Sequence, residues 1–132
     1  MEPYIWESKV RDYELDSQSI VNNAVYFSYF EECRNEYARS LGVDLREYFV
    51  AGYNLVLASI QVEYKRSLKA QDEFYITAKV KELVKKHIFF AQEIRRKKDN
   101  KLIATALVEV ACVDHQTGRA CMPASLLEKL KT

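Results

Sequence analysis

Histidine is scarce in this chain: His87 and His115 are all that 132 residues contain. Neither has a second histidine or an acid at metal-ligand spacing, so the pattern of a zinc site is missing. The three cysteines, Cys33, Cys112 and Cys121, form no zinc knuckle and no C-x-x-C pair. Their odd number and long spacings fit buried thiols in a reducing compartment. No Gly-x-Ser-x-Gly occurs and no serine has a histidine arranged beside it, which argues against a serine hydrolase. Charge is nearly balanced, with 20 Lys and Arg against 19 Asp and Glu for a net +1. No global field therefore draws the protein to nucleic acid or to a membrane surface, and an anion site must come from local clusters. No apolar run approaches the roughly 18 residues of a membrane span. Met1-Glu2-Pro3-Tyr4 lacks the basic and apolar regions of a secretory signal. The expectation is a soluble, cytoplasmic protein with no membrane or nucleic-acid partner.

What remains is ordinary for a globular chain. It is 48% hydrophobic and 30% charged. Its length suits a single domain over residues 1–132 with a core that needs no staples.

Periodicity divides the chain into elements. Tyr4 to Glu14 reads as a strand, with Tyr4, Trp6, Ser8 and Val10 on one face. Leu15 to Ile20 is loop chemistry. A helix is predicted from about Asn23 to Leu41, with Asn22 or Asn23 as its N-cap. Tyr26, Phe30, Cys33, Tyr37 and Leu41 form its apolar stripe. Glu31–Arg34 and Glu36–Arg39 are spaced to pair. Gly42 suits a left-handed cap. Asp44-Leu45-Arg46-Glu47 resembles a capping box that opens a short helix to about Ala51.

From Asn54 the period becomes two. Ala58, Ile60, Val62 and Tyr64 mark one strand. Phe74, Ile76, Ala78 and Val80 mark the next. His87 to Lys97 and Leu102 to Asp114 give two more, joined by a polar turn at Lys97–Lys101. The run from Leu102 is apolar on both faces, so it is central or at an interface. A short helix closes the chain from Pro123 to Leu130. Strands joined by hairpin links make an antiparallel sheet. One helix covers only one face of such a sheet, so a second subunit is expected on the other.

The candidate site is the stretch between the first strand and the long helix. Asp16 is the one acid in the Leu15–Ile20 loop, and Asn22 and Asn23 follow at the helix start. Read by spacing alone, Asp16 also serves as a turn cap and Asn22 as a helix cap. Lys65, Arg66 and Lys69 form one basic cluster; Lys79, Lys81, Lys85 and Lys86 form another. Tyr26, Tyr29, Phe30, Phe49, Tyr53 and Tyr64 are pocket or core residues.

Three blocks carry a family resemblance. They are Arg11-Asp12-Tyr13-Glu14-Leu15-Asp16, then Ile20-Val21-Asn22-Asn23-Ala24-Val25-Tyr26, then Phe30-Glu31-Glu32-Cys33-Arg34. Together they resemble the signature of the hotdog-fold acyl thioesterases of the 4-hydroxybenzoyl-CoA thioesterase-like family. Val62 to Asp72 and Gly118 to Pro123 also look like later blocks of that family. One departure is Ser19, where the family usually has glycine. The Asn-Asn pair resembles the branch that includes plant acyl-carrier-protein thioesterases.

The resemblance implies an α+β hotdog fold, with an antiparallel sheet of five or six strands wrapped around one long helix. It implies homodimers that pair into homotetramers, with active sites at the dimer interface. It implies acyl thioesters of coenzyme A or of acyl carrier protein as substrate, and neither metal nor cofactor. On this reading Asp16 attacks the carbonyl or deprotonates a water. Backbone N–H groups near Asn23 polarise the carbonyl, with the Asn22 or Asn23 side chain orienting substrate or water. Tyr26, Lys65, Arg66, Lys85 and Lys86 bind substrate, the last two by matching the family's nucleotide-contacting basic residues. Glu31 and Glu32 are rival acids. A hotdog dehydratase needs a histidine with an acid at the helix start, and this loop and helix contain none. A non-catalytic acyl-CoA-binding protein is the remaining alternative.

Overall fold

The computed structural model describes residues 2–131. In chain order the strands are β1 (Tyr4–Lys9), β2 (Tyr53–Tyr64), β3 (Glu73–Val84), β4 (His87–Arg96), β5 (Leu102–Asp114) and β6 (Ala120–Cys121). The helices are α1 (Val25–Ser40), α2 (Leu45–Val50) and α3 (Ala124–Leu130). The sheet runs β1-β3-β4-β5-β2 with antiparallel pairing throughout, and β6 adds to β5. This is the hotdog arrangement: six strands around one long helix.

The core follows from two periodicities meeting. Tyr26, Tyr29, Phe30, Cys33 and Tyr37 form the buried side of α1. Opposite them stand Phe74, Ile76 and Ala78 of β3, Ile88, Phe90 and Ile94 of β4, and Ala104, Ala106, Val108 and Val110 of β5. Every second residue of each strand points inward, as a pleated strand demands. Gln92 is the polar exception at 2% exposure. Its Nε2 donates to the Phe30 carbonyl and its Oε1 accepts from Arg34 Nη1, each at 3.1 Å. A buried amide is tolerated when its donors and acceptors are met in this way.

The helix ends as its cap residues demand. Gly42 holds φ +78°. The Gly42 N–H donates to Arg39 O and the Val43 N–H to Ala38 O, the paired bonds of a Schellman cap. The Asp44 side chain accepts from the Arg46 and Glu47 N–H groups and caps α2.

Several expectations need correction. The first strand stops at Lys9, well short of Glu14. The Glu14 carboxylate reaches back to the Arg11 N–H at 2.8 Å and closes a short 3-10 turn over Asp12–Glu14, which takes the chain off the sheet. Helix α1 begins at Val25 rather than Asn23 and stops at Ser40. Arg34 turns inward to Gln92 rather than pairing with Glu31, whereas Glu36–Arg39 does pair at 2.7 Å. The larger correction concerns β2 and β3, which are not hairpin partners. β2 pairs with β5 along its length, and β3 pairs with β1 and β4. The segment between them crosses from one side of the sheet to the other, anchored by the fully buried Leu68. β5, the run apolar on both faces, is central between β4 and β2.

Among the described residues no helix is long and apolar enough to cross a membrane. All three cysteines are free thiols. Burial pushes the Cys33 thiol up to about 12, and burial plus the neighbouring Cys121 does the same to Cys112. Only a thiolate attacks an electrophile, so neither should react at neutral pH. Maleimide labelling of the native protein at pH 7.5 should therefore modify the half-buried Cys121 first, and Cys33 only after denaturation. Phe30→Ala, at a fully buried position, should cost about 3–5 kcal/mol of unfolding free energy in a denaturant titration.

Candidate active site

The loop between β1 and α1 is a miniature hairpin. The Asp16 N–H donates to Ile20 O at 2.8 Å, and the Ser19 N–H to Asp16 O at 3.0 Å. Leu15 bridges to Val21, and Ile20 bridges to Lys69 on the crossover segment. The Val21 N–H donates to Leu68 O at 2.9 Å. Ser19 holds φ +64°. That is the left-handed conformation glycine adopts freely and other residues adopt at a cost of about 1 kcal/mol. Serine holds that conformation here without a glycine.

Asp16 is half-buried in this loop. Its Oδ1 accepts from the Gln18 N–H at 2.7 Å and from the Ile20 N–H at 3.4 Å. The turn therefore uses one carboxylate oxygen and orients the other. Among the described residues, Oδ2 has no hydrogen-bond donor.

The root of the loop is tied to α1 by Glu14. This carboxylate is 7% exposed. Its Oε1 accepts from the Tyr29 hydroxyl at 2.8 Å as well as from the Arg11 N–H, and Arg11 Nη1 lies 3.5 Å from Oε2. Burial, reinforced by the Glu14 bond, pushes the Tyr29 phenol well above its usual range, so it stays a donor. Tyr29 was among the aromatics expected in a pocket or the core, whereas Glu14 did not stand out as a site residue in the sequence.

At the helix start, Asn22 Oδ1 accepts the Ala24 N–H at 2.9 Å, and Asn22 O accepts the Val25 N–H at 2.8 Å. Asn22 thus makes an Asx turn leading into the helix, and neither Asn22 nor Asn23 is its N-cap, because that position falls to Ala24 with no side-chain cap bond. The Asn23 carbonyl accepts from the Tyr64 hydroxyl at 2.9 Å. Among the described residues, no group accepts from the Asn23 backbone N–H.

Asp16, Asn23, Tyr26, Tyr64, Lys65 and Arg66 line one cleft of about 370 Å³, with Ile20, Val21 and Ser67. The crossover segment brings the basic pair to this wall, since Lys65 leaves the end of β2 there. Tyr26 is 3% exposed, and its hydroxyl accepts the Leu68 N–H at 3.1 Å, so its ring borders the cleft while its polar atom is engaged.

Lys85 and Lys86 lie elsewhere. They form the β3–β4 hairpin and border a separate outer groove with His87, Phe89 and Glu109. His87 pairs in register with Ala111 of β5, whereas the Lys65 N–H bonds Ile103 O. Those eight positions on one strand span about 27 Å. Within one protomer the two basic groups do not converge. Glu31 and Glu32 are exposed and do not line the Asp16 cleft. His87 contacts Glu109 through Nδ1, and His115 stacks edge-on against Phe49.

Residues 10–130 match the model of the thioesterase-like superfamily. The chain belongs to that superfamily. This thioesterase-like chain is 30% identical to the long-chain acyl-CoA thioesterase FadM of Escherichia coli, over 93% of each protein. It is 29% identical to the chloroplastic acyl-acyl carrier protein thioesterase ATL3 of Arabidopsis thaliana, over 93% of this chain and 65% of that one. The crystal structure of a hypothetical protein from Aquifex aeolicus superimposes with a TM-score of 0.89 at 31% identity, covering 97% of this chain and 99% of the other.

Glu14→Ala should leave the Tyr29 hydroxyl and the Arg11 N–H without their acceptor. The expected cost is about 1–3 kcal/mol, read as a lowered denaturant midpoint; an unchanged midpoint would contradict the bracing role.

Proposed function

We propose that this protein hydrolyses acyl thioesters of coenzyme A to the free acid and CoA. One observation carries the reading: Asp16, with its oriented carboxylate, and Asn23, with its unpaired backbone N–H, line the same cleft. Thioester hydrolysis needs an attacking or proton-accepting group on one side of the carbonyl and donors facing its oxygen. Membership of the thioesterase-like superfamily supports thioester chemistry. The FadM relative, named for long-chain acyl-CoA, supports the carrier.

In this mechanism the thioester carbonyl lies between Asp16 Oδ2 and the Asn23 N–H. Asp16 attacks the carbonyl carbon, giving a mixed anhydride and the CoA thiolate, or it takes a proton from a water that attacks instead. As the carbonyl oxygen gains charge, the Asn23 N–H and the positive end of α1 stabilise it. Asn22 holds the approach to that end through its bonds to the Ala24 and Val25 N–H groups. Tyr26 walls the acyl side, and Lys65 and Arg66 bring cationic charge to the phosphates. Lys85 and Lys86 are too remote in one protomer, so their phosphate role requires a neighbouring subunit. The protomers form a homodimer and the dimers a homotetramer. The free edge of β2, with Val56 and Leu57 exposed, supports such pairing. The reaction is cytoplasmic in this reading, in keeping with three free thiols.

Acyl carrier protein thioesters are the second reading, favoured by the similarity to ATL3. Both carriers are compared in one assay, thiol release from a panel of acyl-CoA and acyl-carrier-protein thioesters. Asp16→Asn should lower kcat by at least about 100-fold on the preferred substrate. Full activity in that variant would remove Asp16 from the mechanism. Tight acyl-CoA binding by wild type without turnover would favour a binding protein instead.

A further inference from the structure

The Asn23 N–H is useful only if it is held in direction, and Asn23 itself is exposed and outside the regular helix. Two peptide units flank it. In the unit joining Asn22 to Asn23, the oxygen is held by the Val25 N–H. In the unit joining Asn23 to Ala24, the N–H is held by Asn22 Oδ1 and the oxygen by the Tyr64 hydroxyl. A peptide unit is planar, so fixing both planes fixes the two backbone torsions of Asn23 between them. The one polar group of these two units left over is the Asn23 N–H, on a residue that lines the cleft.

Tyr64 is the only one of these holders that comes from outside the loop and helix start. It is the last residue of β2, on the edge of the sheet. Its ring meets the Tyr26 ring edge-on, with centroids 5.3 Å apart at 70°. Tyr26 is in turn pinned by the Leu68 N–H. The hydroxyl of Tyr64 therefore sits on a fixed post, although the residue as a whole is 45% exposed. An exposed hydrogen bond contributes little to folding. A bond so placed matters for where it points the Asn23 backbone.

We infer that Tyr64 is a positioning residue for thioester hydrolysis: its hydroxyl holds the Asn23 carbonyl so that the Asn23 N–H stays aimed at the developing oxyanion. This rests on reading the cleft as the thioester site. Tyr64 touches neither the reacting carbon nor the leaving group; it acts through Asn23. Its contribution belongs to the transition state, where the oxygen carries charge, and not to ground-state binding.

The test is Tyr64→Phe, which keeps the ring contact with Tyr26 and removes only the hydroxyl. Wild type, Tyr64→Phe and Asp16→Asn are assayed on the acyl thioester panel. Two inhibitors are added: a CoA thioether with a methylene in place of the carbonyl, and a CoA thioether bearing a trifluoromethyl ketone, which forms a tetrahedral oxyanion adduct. Tyr64→Phe should show kcat about tenfold lower with KM within about twofold and an unchanged melting temperature. The ketone should bind it about tenfold more weakly, and the methylene analogue equally well. If Tyr64→Phe keeps the wild-type kcat while Asp16→Asn has lost it, the inference is overturned and the thioesterase reading stands. If KM and methylene-analogue affinity worsen in step with kcat, Tyr64 is a substrate contact or a packing residue, and the inference is again overturned. If wild type turns over no thioester in the panel, both fall together.

Discussion

Tyr26, Tyr29, Phe30, Cys33 and Tyr37 project from one side of α1, and leaving that side in water would expose five residues that the core buries. The sheet curls around it because only a curved sheet covers a helix stripe from β1 to β2. Two of the buried residues near the start of α1 are tyrosines, and a buried hydroxyl must find a partner. Tyr26 finds the Leu68 N–H and Tyr29 finds Glu14. Both partners belong to segments that build the Asp16 loop or its floor. The burial that stabilises the fold therefore also places the site.

The loop itself is an exercise in satisfying polar groups. The backbone N–H groups of Asp16, Gln18, Ser19, Ile20, Val21 and Asn22 all find acceptors within the loop or on its neighbours. One oxygen of Asp16 and the N–H of Asn23 are among the groups left without a partner. A loop held by so many bonds has little need to reorganise when a carbonyl enters, which is the condition for electrostatic stabilisation of an oxyanion. The left-handed residue at Ser19 is the local cost of that tight turn.

Much of the fold was legible in the chain. Period-two runs marked β3, β4 and β5, and the 3.6 period marked α1, because half-buried elements must repeat their apolar residues. Gly42 announced its cap through φ, and Asp44 announced its own through its short carboxylate. The exit of β1 was not legible. Tyr4 to Glu14 alternates well enough for a strand, and only the Glu14 side chain, closing back on Arg11, ends it early. The pairing of β2 was not legible either. Alternation says that a strand exists and says nothing about which neighbour it takes.

The same division runs through the site. Local chemistry alone determined that Asp16, Asn22 and Asn23 form an acid and two amides at a helix start, since capping and turn preferences act over a few residues. Tertiary structure decided what joins them. The end of β2 and the crossover to β3 carry Tyr64, Lys65, Arg66 and Leu68 to the loop, whereas Lys85 and Lys86, equally basic in sequence, fall about eight strand positions away. Charge and residue type are properties of the chain. Distance between residues 16 and 64 is a property of strand order, and strand order is chosen by the whole core at once.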